Sequence, residues 1–298
     1  MTDSNASSAP HFATSQFLDV NGFRLHYQRV GSGATLIVLL HGSFLSLRSW
    51  RHVFAELSAH ATVVAIDRPV CGLTSRPVPK SGGAALYSAD AQSDLVAALI
   101  EQLGFQRAIL IGHSTGGTVA LLTALRHPDK VQALVLVGAM VYSGYATSQL
   151  PAPVHRMMTA LKPLFVKLMR VMIQRLYTKA LRALWHQQER LTDDDIAAYR
   201  ADFMIGSWDR AFLESFLATH RLDLEAQLLH LTLPVLVISG EHDRAVKLAE
   251  SQRLADELPS AELIVIPDCG HIPHEETPSA FLAAVNGFIQ HHANIKLV

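Results

Sequence analysis

Cysteine is scarce. The chain holds two in 298 residues, Cys71 and Cys269, which excludes a disulfide scaffold and leaves both expected as free thiols. Long apolar runs are missing as well: LIVLL at 36–40 and VLVIS at 235–239 fall far short of the roughly 20 residues that span a bilayer. Neither sign of charge dominates. The 25 Lys and Arg stand against 26 Asp and Glu, a formal net charge of −1, so the electrostatic drive toward nucleic acid that a basic domain carries is absent. No internal repeat is visible. The opening residues 1–15, MTDSNASSAPHFATS, lack the basic and apolar segments of a secretory signal; they read as a flexible tail, and a cytoplasmic location is expected.

What is present is a large apolar fraction, 49%, enough for a substantial core. Two strand-like runs, FLDV and FRLHYQRV, flank an Asn21-Gly22 turn. Six further runs follow: LIVLL, TVVAI, AILI, ALVLV, VLVIS and LIVI. These are apolar throughout rather than alternating, as parallel strands covered on both faces are. Between them, helical spacing is found at Trp50 to Leu57, Asp90 to Leu103, Thr118 to Arg126, Lys247 to Leu258 and Ser279 to Ile289. The expectation is an α/β protein with a mostly parallel eight-stranded sheet and helices on both faces.

Residues 144–222 break this rhythm. No strand-like run occurs there, and Leu, Met, Trp and Tyr recur at helical spacing among Lys and Arg. A helical cap is expected, inserted into a core of residues 16–143 and 223–298. From His155 to Arg190 eight Lys or Arg accompany a single Glu. A solvated outer face explains that balance, and a basic lid docking on lipid is the sharper alternative. Pro163 and the acidic run Asp193-Asp194-Asp195 weigh against the lid, so membrane association is not expected.

The chemistry concentrates in "ILIGHSTGGTVALL", residues 109–122. With 17 glycines in the chain, a Gly-x-Ser-x-Gly arises by accident about 0.07 times. Here it falls where a strand pattern gives way to a helix pattern, a tight turn that lifts Ser114 clear of its neighbours. A serine hydroxyl needs a base, and the base needs an orienting carboxylate. Parallel strands deliver both to one edge of the sheet, in the loops Gly240-Glu-His-Asp-Arg244 and Pro267-Asp-Cys-Gly-His271. Asp243 and His271 are the expected partners, with Glu241, Asp268 and His274 as local rivals. The oxyanion of acyl transfer needs preorganised donors, assigned to the backbone N–H groups of Thr115 and Ser43. Phe44, His113 and Met140 are the expected substrate contacts. His271 and His274 lie three apart beside Glu275, but neither HExxH nor a paired CxxC occurs and Pro273 interrupts a helix. No metal and no cofactor is expected.

These residues resemble the α/β-hydrolase superfamily, of the capped, esterase-like kind. The match runs from about Phe17 to Ile289 through "HGSFLSLRSW", "DRPVCGLTSRP", "GHSTGG", "GEHD" and "GHIPHEETP". The resemblance implies a Ser114/Asp243/His271 triad, and it puts Cys71 and Cys269 several strands apart. Relatives often carry proline at Phe44 and glycine at or near Val70. Members that open halides or epoxides use aspartate where Ser114 stands, which sets those chemistries aside. Carbon–carbon hydrolases of aromatic-ring breakdown share the triad but usually have a glycine-rich oxyanion loop. The leading expectation is therefore a serine hydrolase that cleaves a small apolar carboxylic ester through an acyl-enzyme. The alternatives are carbon–carbon hydrolysis, lactone opening or perhydrolysis on the same triad, and, in another class, a ligand receptor with little turnover. A small molecule is the expected partner; oligomeric state is not readable.

Overall fold

The computed structural model describes residues 14–59, 61–79, 85–142 and 149–292; most of the expected tail lies outside them. The two strand-like runs and the six apolar runs become eight strands: β1 (Gln16–Val20), β2 (Phe23–Val30), β3 (Leu36–Leu40), β4 (Thr62–Ile66), β5 (Ala108–His113), β6 (Val131–Val137), β7 (Val235–Gly240) and β8 (Ala261–Ile266). They form one sheet in the order β1-β2-β4-β3-β5-β6-β7-β8. β2 pairs antiparallel with β1 and β4, and every later pairing is parallel.

Period-two alternation divides the central strands between two cores. Leu36, Val38, Leu40 and Leu110 point into one hydrophobic cluster, Ile37, Leu39, Ile109 and Ile111 into the other. Both clusters are covered by helices, which is why these runs carry no polar residue. β8 departs from that expectation. It is the edge strand, and Val265 is 38% exposed.

The covering helices are α1 (Phe54–Leu57), α2 (Ala89–Gln102), α3 (Thr115–Arg126), α8 (Leu248–Glu257), α9 (Pro273–Glu276) and α10 (Pro278–His292). The helix expected over Trp50 to Leu57 is reduced to a 3-10 turn, Leu47–Trp50, and the one-turn α1. There Trp50 stacks on His274 and Arg51 pairs with Glu275 and Asp195, contacts that draw the chain across the sheet. α3 starts three residues before the expected Thr118. Gly116 and Gly117, weak helix formers, fill its first turn and hide it from the periodicity.

Among the described residues, four α-helices connect β6 to β7: α4 (Ala152–Ala160), α5 (Lys162–Arg182), α6 (Asp193–Phe203) and α7 (Trp208–Leu217). This is the expected insertion, with residues 143–148 outside the described ones. Pro163 opens α5 rather than breaking it, because proline's missing N–H costs nothing in a helix's first turn. Thr192 and Asp195 close a capping box on α6. Met169, Ile173, Tyr177 and Leu181, four residues apart on α5, are buried toward the core. The solvated outer face carries apolar residues among its cations: Leu164, Leu168, Val171, Met172 and Leu176 are all exposed.

Candidate active site

Register aligns the strand ends that carry the chemistry. Leu40 sits beside Gly112 on β5 and Ile66 on β4, while Gly240 sits beside Ile266. The residues that follow each strand therefore emerge along one edge.

Ser114 caps α3 with φ 54° and ψ −121°, a conformation that costs a non-glycine residue on the order of 1–3 kcal/mol. The flanking glycines make that turn possible by close approach. A Cβ on Gly112 would lie 2.5 Å from the Gly116 carbonyl oxygen, and one on Gly116 would lie 2.2 Å from that of Leu40. Backbone bonds fix the turn from both sides: Ser114 N–H donates to Val137 O, and its carbonyl accepts from Met140 N–H.

His271 Nδ1 and Asp243 Oδ2 are 2.7 Å apart and both side chains are buried. The second carboxylate oxygen of Asp243 accepts from the N–H groups of Ala245 and Val246 at 2.8 and 2.9 Å. An acceptor-only carboxylate on Nδ1–H leaves Nε2 as the ring's acceptor. A Cβ on Gly138, the residue after β6, would come within 3.0 Å of both Asp243 Oδ2 and His271 Nδ1. The elbow, the acid loop and the base loop thus meet at the end of β6.

Thr115 is the first residue of α3, so its N–H has no acceptor within the helix. Its Oγ1 lies 2.9 Å from Ser43 Oγ. His41 shapes the Ser43 loop: Nδ1 donates to Gly42 O at 2.7 Å and Nε2 accepts from Arg68 N–H at 3.0 Å. That is a neutral imidazole, consistent with burial and the Arg68 charge pushing His41 down to about 4.

Sequence reasoning missed Arg68. Its buried guanidinium donates to His41 O and Thr115 Oγ1 at 2.8 and 2.9 Å, and to Gln92 Oε1 through Nε and Nη2. A permanent cation is thereby clamped to both segments expected to supply oxyanion donors. Arg68 stands in "DRPVCGLTSRP", directly after Asp67. Asp67 is a buried hub that accepts from His26 Nδ1 at 2.6 Å and from the N–H groups of Leu47 and Leu73. Burial alone would raise its pKa, but the His26 bond and neighbouring donors hold it below the ordinary carboxylate value. Gly72 is required because a Cβ there would lie 1.8 Å from that carboxylate.

Phe44 has φ 64° and takes the place where relatives often have proline. Tyr177 of α5 donates its hydroxyl to Phe44 O at 2.7 Å, and the Phe44 ring packs on Phe203 and Phe212. With Ser43 and Arg68 the rings of Phe44, Phe203 and Phe212 line a recess between core and cap whose cavity volume is about 30 Å³, room for about one water. A larger groove around Tyr142, Arg253 and Glu257 holds none of these residues. Met140 lies beside the elbow, its carbonyl accepting from Thr118 Oγ1.

His113 is a correction. It is 1% exposed, its Nε2 lies 2.9 Å from His271 O, and its ring is 4.6 Å from that of His271. It braces the base loop from behind rather than facing a substrate, and burial with the neighbouring His271 and His274 pushes its pKa well down. His274 likewise packs inward, stacked on Trp50 at 4.0 Å, while Glu275 pairs with Arg51. One grouping among the described residues, His186, His242 and Asp268, brings possible metal-ligand atoms within 4.8 Å of one another at the seam of cap and core.

Glu276, the second glutamate of "GHIPHEETP", ties that seam. It accepts from the N–H groups of Gly270, His186 and Gln187 at 2.8, 3.2 and 2.6 Å, and its carbonyl accepts from Arg190. Both cysteines are buried and free. Burial pushes each thiol up to about 12, which leaves them inert at neutral pH.

The chain is 28% identical to a 2-hydroxy-6-oxononadienedioate/2-hydroxy-6-oxononatrienedioate hydrolase of Cupriavidus pinatubonensis, over 96% of this chain and 98% of that one. It is 29% identical to a 2-hydroxymuconate semialdehyde hydrolase of a Pseudomonas species, over 90% and 91%. Among solved structures it resembles the enol-lactonase of Burkholderia xenovorans, with a TM-score of 0.75, 25% identity, and coverage of 92% of this chain and 100% of that one. A family model described as the alpha/beta hydrolase fold matches residues 35–278, and with its eight-stranded sheet and serine elbow this chain belongs to the α/β-hydrolase fold family.

Proposed function

We propose that this protein is a serine-dependent hydrolase that cleaves a carbon–carbon bond next to a ketone in a small, acid-bearing dienone of the 2-hydroxy-6-oxo type. The observation that carries this reading is similarity along nearly the whole chain to several hydrolases named for such substrates. It takes precedence over a simple ester, the first expectation from the sequence.

In this reading Ser114 Oγ attacks the ketone carbon while His271 Nε2 takes its proton. Asp243, held by its own two backbone donors, keeps the imidazole in the required tautomer and stabilises the imidazolium. The oxyanion sits against the N–H groups of Ser43 and Thr115. A proton shift in the substrate from the 2-hydroxyl to the carbon beside the ketone first gives the 2,6-dioxo tautomer; collapse of the tetrahedral oxyanion then breaks the carbon–carbon bond, the electron pair passes through the remaining C=C into the 2-oxo group, and the resulting dienolate takes the proton from His271 as the dienol leaves. Water then attacks the acyl-serine with His271 again as base, and a carboxylic acid leaves. Arg68, fixed beside both oxyanion segments, supplies positive potential where negative charge develops.

A second reading, lactone or ester hydrolysis on the same triad, is favoured by the likeness to the enol-lactonase. A panel of a 2-hydroxy-6-oxo-dienoate, an enol-lactone and p-nitrophenyl esters separates the two. Loss of the dienoate's visible absorbance with kcat/KM at least about tenfold above the others supports carbon–carbon cleavage. Turnover of esters or lactone with the dienoate untouched overturns it.

A further inference from the structure

We propose that the outer face of the cap docks on an anionic lipid surface. α5 is apolar on two sides. Its inner stripe, Met169, Ile173, Tyr177 and Leu181, is buried against the rest of the protein. Its outer face carries Leu164, Leu168, Val171, Met172 and Leu176, which are 60%, 59%, 44%, 48% and 53% exposed. Met157 in α4 and Leu161 in the turn between the helices are 48% and 47% exposed. A surface helix needs only one apolar stripe, and exposed leucines grouped at helical spacing mark a contact surface, whereas scattered ones need no explanation.

Charge selects the occupant. α5, KPLFVKLMRVMIQRLYTKALR, contains no Asp or Glu. Lys162, Arg170 and Arg182 are paired with Glu214, Asp209 and Asp193. Lys167, Arg175 and Lys179 form no ion pair among the described residues, and all three are exposed beside the leucines. A second copy of this chain placed stripe against stripe would set like charges together with no acid between them. An anionic bilayer meets both needs: acyl chains take the leucines and headgroups take the cations. The stripe lies on the far side of α5 from Tyr177, which holds Phe44, so docking leaves the catalytic edge uncovered.

The proposal does not depend on which bond the enzyme cleaves, because its readout is binding. The full-length protein is sedimented with extruded vesicles of phosphatidylcholine containing phosphatidylglycerol, and with phosphatidylcholine alone, in about 20 mM and about 500 mM salt. The expected result is at least about tenfold more protein bound to anionic than to neutral vesicles in low salt, with the excess lost in high salt. The pair Leu168→Ser and Leu176→Ser, and separately the set Lys167→Gln, Arg175→Gln and Lys179→Gln, each lower that binding about tenfold. Both variants keep the wild-type circular dichroism and turnover of a soluble substrate. If the leucine variant fails to fold, the cation variant decides alone. No binding of wild type to anionic vesicles in low salt overturns the proposal, as does binding that folded variants retain. So does a dimer in sedimentation velocity that the leucine pair dissociates while vesicles remain unbound, which assigns the face to a second copy.

Discussion

Every residue of β3 is buried, and its side chains alternate between two cores; α5 buries a single stripe and leaves leucines on its far side in solvent. The sheet is enclosed on both faces, so it tolerates only apolar residues and fixes the strand ends rigidly. The cap has one enclosed face and is held down by discrete polar ties: Glu276 to the 186–187 backbone, Tyr177 to Phe44 O, and Asp202 to Ser46 and Arg48. The difference teaches a division of labour. Chemistry sits on the enclosed scaffold, where sub-ångström placement is secured by packing. In the proposed reading, selection of what enters falls to a layer whose inner wall, Phe203 and Phe212, is carried by helices outside the sheet.

If that division is right, the largest effects come from the core edge and leave the cap intact. Ser114→Ala should lower kcat on the order of 10⁶-fold while substrate still binds, as read by steady-state kinetics and by equilibrium binding to the inactive variant. Asp243→Asn should cost on the order of 10⁴-fold by presenting the wrong tautomer to Nε2. Its two backbone donors would keep the loop in place, so the melting temperature should move little.

Next in size is an acid sensitivity that belongs to the core. His41, His113 and His274 are held neutral by burial, with folded-state pKa values below the unfolded 6.5. As pH falls below 6.5 the unfolded chain binds protons that the folded one refuses, so stability falls with pH. Between pH 6.5 and 5 His41 alone, at about 4 when folded, contributes a loss of about 2 kcal/mol. Urea unfolding at pH 7 and 5 measures it, and His274→Phe should flatten the slope.

The seam comes after that. Glu276→Gln replaces an acceptor of three N–H groups with an amide that cannot accept them all, at a cost of about 2 kcal/mol, visible as a lower urea midpoint. A Glu276→Gln protein as stable as wild type would mean that the cap is seated by its packing and not by this carboxylate. The smallest effect belongs to the outer leucines: Leu168→Ser should change stability by no more than about 0.5 kcal/mol. A loss of several kcal/mol there would show that α5's outer face is part of a core and would break the comparison.

The same contrast decides how much of the molecule is legible in its amino-acid sequence. The strands are legible because burial on both faces writes itself as an unbroken apolar run, and the elbow because Gly112 and Gly116 have no room for a Cβ. Asp243 and His271 are reachable by their place after β7 and β8, since parallel strands send their following loops to one edge. The role of His113 is not legible. Its neighbours His271 and His274 lie far along the chain, and only folding shows that it backs the base rather than the substrate. Arg68 escapes for a related reason, because its partners His41, Gln92 and Thr115 come from three separate segments. In the cap, periodicity reveals helices but not which face of α5 turns inward, because both faces carry Leu and Met at the same spacing.

The central claim is that Ser114, driven by His271, is the attacking group. Treatment of the folded protein with a fluorophosphonate, followed by peptide mass analysis, tests it most directly. The account predicts a single stoichiometric adduct on Ser114, abolished by Ser114→Ala and slowed at least about a thousandfold by His271→Ala. Hydrolase activity that persists with Ser114 unlabelled, or undiminished in Ser114→Ala, would contradict it.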